Sequence, residues 1–197
     1  MKKVIGLTGS IASGKSTVSN KLKSLGYKIV DCDEINHRLL LKGNEGYLKV
    51  LEHFGEEILS SDGQIDRKKL GSLIFNDPSL KTQLNQILHP LIKIIAIKEL
   101  EEVEEGLVFL DCPLLFETDF HELCDLKIVV YVNLDTQIRR LMERDSITFP
   151  EALKKIYSQM SLEEKLELAD YVVDNCHGLT DLDWQLKQLL FRLERGI

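Results

Sequence analysis

The stretch GLTGSIASGKST, residues 6–17, constrains this chain more than any other segment. From Gly9 it follows the pattern G-x-x-x-x-G-K-[S/T], with Gly9, Gly14, Lys15 and Ser16 in the required places. Before it runs KKVIGL, a short apolar segment suited to a buried strand. After it Val18, Leu22 and Leu25 recur at helical spacing until Gly26 supplies a stop signal. A strand, a glycine loop and a helix in that order bring successive backbone N–H groups onto a phosphate, and the amino end of the helix adds favourable partial positive charge. In such a loop Lys15 reaches the β- and γ-phosphates of a nucleotide and the Ser16 hydroxyl holds Mg²⁺. The expected nucleotide-binding residues of the loop are Gly9, Ser10, Ala12, Ser13, Gly14, Lys15, Ser16 and Thr17. A chance glycine turn at a helix start would match the bare pattern, but it would not account for both flanks.

Short apolar runs recur further along. YKIVDCD reads as a second strand ending in acidic residues, and LVFLDCP (107–113) and LKIVVYV (126–132) have the continuous character of strands buried on both faces. DYVVDN (170–175) reads as a fifth. Helical stretches separate these strands. The expectation is therefore an α/β fold, a parallel sheet with helices on both sides, in which ligands bind beyond the carboxyl ends of the strands.

Roughly seventy residues, 34–105, lie between the second and third strands, which is long for a simple crossover. They read as helices near EINHRLLL, EGYLKVLEHF and RKKLGSLIF, followed by a long one from about Pro78 to Glu105 that His89 and Pro90 should kink. An insertion of this size should cover one end of the sheet, where a phosphate acceptor would be held. A second helical excursion precedes the fifth strand. The last helix, after GLTDLD, is expected to use Thr180 as its cap with Asp183 in the capping-box position.

Charge narrows the function. At −7 the chain lacks the basic balance of a general nucleic-acid binder. No apolar run has membrane-spanning length, and the amino-terminal apolar stretch meets the glycine loop too soon to form a signal-peptide core. A cytoplasmic location is expected, with no membrane partner. The four cysteines, Cys32, Cys112, Cys124 and Cys176, form no C-x-x-C pair and suit reduced thiols rather than a zinc site or disulfide framework.

Among phosphate-loop proteins, a guanine-reading switch should carry Asn-Lys-x-Asp, whereas the nearest fragment here, NLDT at Asn133, lacks the lysine. A transporter-type signature of the LSGGQ kind is missing as well. What remains favours a small-molecule kinase. Asp31 and Asp33 follow the second strand, and Asp111 ends the third. A carboxylate after the second strand could accept a proton from an acceptor hydroxyl, and Asp111 could support a hydrated magnesium ion. Helix capping is the competing role for each, and for Asp33 capping and catalysis are both open. Arg140 and Arg144, four residues apart, share a helix face that is either solvated or part of a lid closing over the transferring phosphoryl group.

The segments IGLTGSIASGKSTV, VDCDEINHRL, IDRKKLGSLIF, LNQILHPLI, LDCPLLFE, RRLMERD and ADYVVDN occur in this order and resemble the dephospho-CoA kinase family over nearly the full length. The resemblance implies a phosphate-loop kinase fold with a five-stranded parallel core, a helical CoA-binding insertion and a helical lid. The implied boundaries are 1–33, 106–138 and 167–197 for the core, 34–105 for the insertion and 139–166 for the lid. It implies transfer of the γ-phosphate of ATP, with Mg²⁺, to the ribose 3′-hydroxyl of dephospho-CoA, by a monomer or weak homo-oligomer.

By the same resemblance Asp33 matches the general base, Lys15 the phosphate lysine, Ser16 the magnesium hydroxyl and Arg140 the lid arginine. Arg144 joins the nucleotide-binding set, and Asn175 matches a position near the adenine. Arg67, His89 and Pro90 fall in the acceptor-binding region, together with Leu114 and Glu117. Glu117 either binds substrate or orients a neighbouring loop, and His89 taken alone reads as a core or kink histidine.

Ser10 and Ala12 stand where the family commonly has glycine, and the Cβ of Ala12 puts the local backbone geometry in question. Cys32 and Cys112 flank the two aspartates and are expected to bring thiols near the site. Two rival readings are a nucleoside monophosphate kinase, which the central insertion and ILHP oppose, and a non-catalytic nucleotide sensor.

Overall fold

The computed structural model describes residues 1–195, with Phe75 and Asn76 described by their backbone alone. In chain order the elements are β1 (Lys2–Gly9), α1 (Lys15–Ser24), β2 (Lys28–Asp31), α2 (Cys32–Leu39), α3 (Glu45–Phe54), α4 (Arg67–Asn76), α5 (Pro78–Glu101), β3 (Gly106–Asp111), β4 (Leu126–Tyr131), α6 (Leu134–Asp145), α7 (Phe149–Ile156), α8 (Leu162–Glu167), β5 (Tyr171–Asp174) and α9 (Leu179–Arg195). Single 3₁₀ turns occur at Glu56–Ile58 and Asp119–Leu123.

The strands form one five-stranded parallel sheet in the order β2-β3-β1-β4-β5. β1 is central because its residues from Val4 onward are buried, so it needs covering neighbours on both edges. The register sets Leu7 opposite Asp111 of β3 and Gly9 opposite Val130 of β4. The carboxyl ends of β1, β3 and β4 therefore come out together, and that edge carries the site.

Two compact units divide the chain, Met1–Val30 with Leu100–Ile197, and Asp31–Glu99. In the first, Ile5, Leu7, Phe109, Ile128 and Val130 of the sheet pack with Val18 and Leu22 of α1 and with Leu182, Leu186, Leu189, Leu190 and Leu193 of α9. The leucine stripe of α9 is thus core, as its spacing indicates. Tyr27 meets the Phe109 ring edge-on at 5.5 Å between centroids. In the second unit Ile35, Val50, Ile58 and Ala96 are fully buried. Asp66 caps α4 by accepting from the N–H groups of Lys68 (2.9 Å) and Lys69 (3.2 Å).

The structure moves several element ends. β2 stops at Asp31, whose carboxylate accepts from the N–H groups of Asp33 (2.9 Å) and Glu34 (3.1 Å) and so starts α2 at Cys32. Cys32 and Asp33 are helical rather than strand residues. The long helix stops at Glu101, short of the expected Glu105, and it continues through Pro90, whose ring removes the N–H that would return to Gln86. α9 begins at Leu179, with the Leu182 N–H on the Gly178 carbonyl at 3.2 Å, so Thr180 lies inside the helix and is not its cap. Asp183 pairs with Lys21 instead of closing a capping box.

Phe109→Ala removes a fully buried ring from the centre of this core. Denaturant unfolding should show a loss of about 3–5 kcal/mol, with the fold retained at low denaturant.

Candidate active site

At the end of β1 the backbone leaves no room for a side chain. A Cβ on Gly9 would lie 2.5 Å from Ser13 Oγ and 2.9 Å from the Val130 carbonyl oxygen. The loop then turns on itself, the Ser13 N–H donating to the Ser10 carbonyl at 3.0 Å. Gly14 takes the left-handed conformation (φ 87°), and its carbonyl receives the Thr17 and Val18 N–H groups at 2.9 and 3.3 Å, which opens α1. No side chain caps α1 and no acidic residue occupies its first turn. Its leading N–H groups are therefore left facing a place suited to an anion, and Ser16 is exposed beside them. Ala12, one of the two departures from the family loop, adopts φ 60°. A left-handed residue with a Cβ costs about 1–2 kcal/mol, so the loop holds Ala12 where glycine would sit without strain.

Lys15 forms an ion pair with Asp111, their side chains 13% and 3% exposed. This pairing follows from the sheet, since Asp111 ends β3 beside β1 and Lys15 is the first residue of the helix that β1 feeds. The two residues expected at the phosphates and at magnesium are thus together in one shielded charge pair.

Residues far away in sequence also reach the loop. Asn175, beyond β5, is 6% exposed and donates through Nδ2 to the Ser13 carbonyl at 2.8 Å. A Cβ on Gly14 would come within 2.0 Å of that nitrogen, so the second motif glycine is needed for space as well as for φ. Arg140 of α6 donates through Nη2 to the Asn175 carbonyl at 2.9 Å. Its Nη1 is buried without a hydrogen-bond partner and lies 3.7 Å from where a Gly14 Cβ would be. Ser13 Oγ is the second buried polar atom of the loop region that lacks a partner.

Arg144 is not brought to this place. It is 55% exposed and bonds Asp145 at 2.8 Å, while Lys155 of α7 reaches the same carboxylate at 2.6 Å. The two cations hold the Asp145 carboxyl well below the usual carboxylate range, chiefly through the Arg144 hydrogen bond. Arg144 and Lys155 therefore share a clip joining the end of α6 to α7.

The turn after β3 has its own anchor, which sequence reading missed. Lys165 of α8 is fully buried, donating to the Pro113 carbonyl at 3.1 Å and pairing with Glu117 at 2.9 Å. Thr8 of β1 donates to the same carbonyl at 3.1 Å. Leu114 lies half-buried in this turn. Of the two roles open for Glu117, the pairing with Lys165 supports orientation of the turn. In SLEEKLELAD a lysine among glutamates looks like a solvated face, and only the docking of α8 reveals its burial.

In the Asp31–Glu99 unit, Asp33 stands in the first turn of α2, the cap being Asp31. Arg67 opens α4 and is exposed, His89 is half-buried in mid-α5 and Pro90 is exposed. Cys32 and Cys112 are 6% and 4% exposed, so neither thiol presents much surface to a reagent. Burial pushes the Cys124 thiol up to about 12. Among the described residues no group of three or more His, Cys, Asp or Glu side chains is placed to hold a metal ion.

Comparison with known proteins shows which sequences and folds this chain is similar to. The family model described as Dephospho-CoA kinase matches residues 3–181. A Dephospho-CoA kinase of Listeria monocytogenes is 43% identical over 200 residues, covering 100% of this chain and 98% of its own. Among solved structures, a Thermus thermophilus protein superposes with a TM-score of 0.82 at 35% identity, covering 98% of each chain. A Dephospho-CoA kinase from Campylobacter jejuni gives 0.73 at 31% identity, covering 100% of this chain and 99% of its own.

Replacing Lys165 by Met leaves the Glu117 carboxylate without its cation. Unfolding should cost about 3 kcal/mol less for this variant, and the double variant Lys165→Met/Glu117→Leu should regain much of that loss. Additive losses in the double variant would show that the pair is not coupled.

Proposed function

The chain belongs to the dephospho-CoA kinase family, and from that premise we propose how its residues divide the work. The enzyme phosphorylates dephospho-CoA in the final step of CoA biosynthesis; our reading assigns the accepting group as the ribose 3′-hydroxyl and the donor as ATP. The observation that carries this reading is the surplus of donors at the loop. Arg140 Nη1 and Ser13 Oγ are buried without partners, and the α1 amides have no cap. Buried donors of this kind call for an acceptor-rich anion, and a nucleotide polyphosphate supplies one.

Lys15 and the loop amides would hold the β- and γ-phosphates, and Arg140 would turn its unspent Nη1 toward the charge that builds on the transferring group. Asn175 would keep the Ser13 peptide and Arg140 in place beside the nucleotide. Ser16 and Asp111 would carry Mg²⁺, which supplies charge neutralisation between the phosphates when bound. Two protein oxygens, with no larger acidic cluster among the described residues, suit an ion held mainly by phosphates and water. Asp111 would then exchange part of its bond to Lys15 for the ion.

Asp33 is proposed as the group that receives the hydroxyl proton, with capping left to Asp31. Arg67, His89, Pro90, Leu114 and Glu117 are proposed for the acceptor region, within an insertion of residues 34–105 and the turn after β3. Residues 139–166 are proposed as the lid, with Arg144 entering the nucleotide site only when that segment shifts.

Net charge and cysteine usage support a cytoplasmic enzyme without a nucleic-acid partner, none of the four cysteines forming a disulfide. No helix among the described residues is long and apolar enough to cross a membrane. A monomer or weak homo-oligomer is proposed.

The test is ADP release by purified protein with ATP and Mg²⁺, with and without dephospho-CoA, beside Asp33→Asn. Turnover should depend on dephospho-CoA. The variant should keep its ATP affinity within about threefold and lose about 10²–10⁴-fold in kcat. ATP binding without stimulation by dephospho-CoA would refute the assigned acceptor, and full turnover in Asp33→Asn would refute the assigned base.

A further inference from the structure

The crest of the phosphate loop is held from outside by two glutamines to which nothing above assigns a role. The Ile11 N–H donates to Gln159 Oε1 at 3.0 Å, and the Ile11 carbonyl accepts from Gln137 Nε2 at 2.8 Å. Gln137 projects from α6 and is 2% exposed, while Gln159 sits half-buried between α7 and α8. Ile11 and the left-handed Ala12 also pack against Ile138, Leu141 and Ala152 of α6 and α7.

Peptide geometry turns these two contacts into control of the loop. In a trans peptide the N–H and C=O point in opposite directions, and none of the peptide bonds described is cis. Holding the Ile11 N–H on Gln159 therefore sends the Ser10 carbonyl the other way, where it receives the Ser13 N–H at 3.0 Å. Holding the Ile11 carbonyl on Gln137 sends the Ala12 N–H away from Gln137. Both peptides that set the crest are thus locked, at the one loop position where a Cβ opposes the backbone conformation.

We propose that Gln137 and Gln159 are positioning residues for phosphate binding, orienting the two crest peptides so that the loop amides meet the nucleotide without reorganising. They touch no reacting atom; they act through Ile11. The inference rests on the nucleotide-binding half of the function proposed above and not on the identity of the acceptor. The two glutamines play opposite parts, since Gln159 accepts and Gln137 donates. A glutamate can replace the acceptor but not the donor, and it brings the same charge to either position.

The experiment uses the full chain with Gln159→Glu, Gln159→Met and Gln137→Glu, and reads ATP affinity by calorimetry without acceptor, KM for ATP and for dephospho-CoA, and melting temperature. Gln159→Met and Gln137→Glu should each weaken ATP binding about tenfold, the scale of a lost buried hydrogen bond. Gln159→Glu should recover most of this, staying within about threefold of the parent despite its added charge. KM for dephospho-CoA should stay within about twofold throughout. ATP affinity unchanged in Gln159→Met would overturn the proposal. So would equal losses in Gln159→Glu and Gln137→Glu, which would point to charge alone, or parallel rises in both KM values. If Gln137→Glu does not fold, the Gln159 pair decides by itself. Absence of turnover with dephospho-CoA would sink the acceptor assignment and leave these ATP affinities as valid a test as before.

Discussion

The site depends on one steric constraint, the closeness with which the chain must turn after β1. Gly9 has the Val130 carbonyl and Ser13 Oγ where a side chain would be, and Gly14 has the Asn175 carboxamide. These contacts arise because β1 is paired on both edges, leaving the loop no room to swing outward. Once β1 is central, its neighbours decide what surrounds the loop. β3 delivers Asp111, β4 delivers the carbonyl under Gly9, and the N–H of Asn175 extends the β4–β5 pairing by bonding the Tyr131 carbonyl at 2.9 Å. The phosphate loop is thus a property of the whole sheet edge.

Around that edge, buried charge is balanced in pairs. Lys15 has Asp111 and Lys165 has Glu117, as the cost of leaving an ion alone in a low-dielectric setting requires. Buried amides are spent on loop carbonyls, with Asn175 on Ser13 and Gln137 on Ile11. Against this background of satisfied groups the partnerless Arg140 Nη1 and Ser13 Oγ stand out. Donors held in excess suit an anion, and those already fixed in place need not reorganise to meet one.

The two helices that follow α6, α7 and α8, are short, and short helices have little stability of their own. α7 and α8 each start with a capping box, Thr148 with Glu151 and Ser161 with Glu164, and a small apolar cluster joins α7 to α6. They are held by caps, by the Asp145 clip, by the Lys165 anchor and by Gln159 on the loop crest. This segment is therefore energetically tied to the loop it flanks, and a shift in either is felt by the other.

Periodicity and punctuation made the five strands, the helical insertion and the phosphate loop legible, because local sequence carries apolar spacing and the glycine, proline and acidic signals of turns. The motif and its flanks also made legible where Lys15 and Ser16 stand, at the first turn of α1, since helix and loop place them by covalent connectivity alone. What the sequence did not contain was the pairing. That Arg140 turns inward to Asn175 and that Lys165 is buried against Pro113 and Glu117 depend on neighbours distant along the chain, whereas Asp31 capping α2, Thr180 lying within α9 and Arg144 bonding Asp145 are local choices among competing partners. A lysine or glutamine has the same local pattern whether solvated or enclosed. Only the packing of α6 and α8 against the loop and the turn after β3 removes water from Gln137 and Lys165, and that loss of water gives those side chains specific partners.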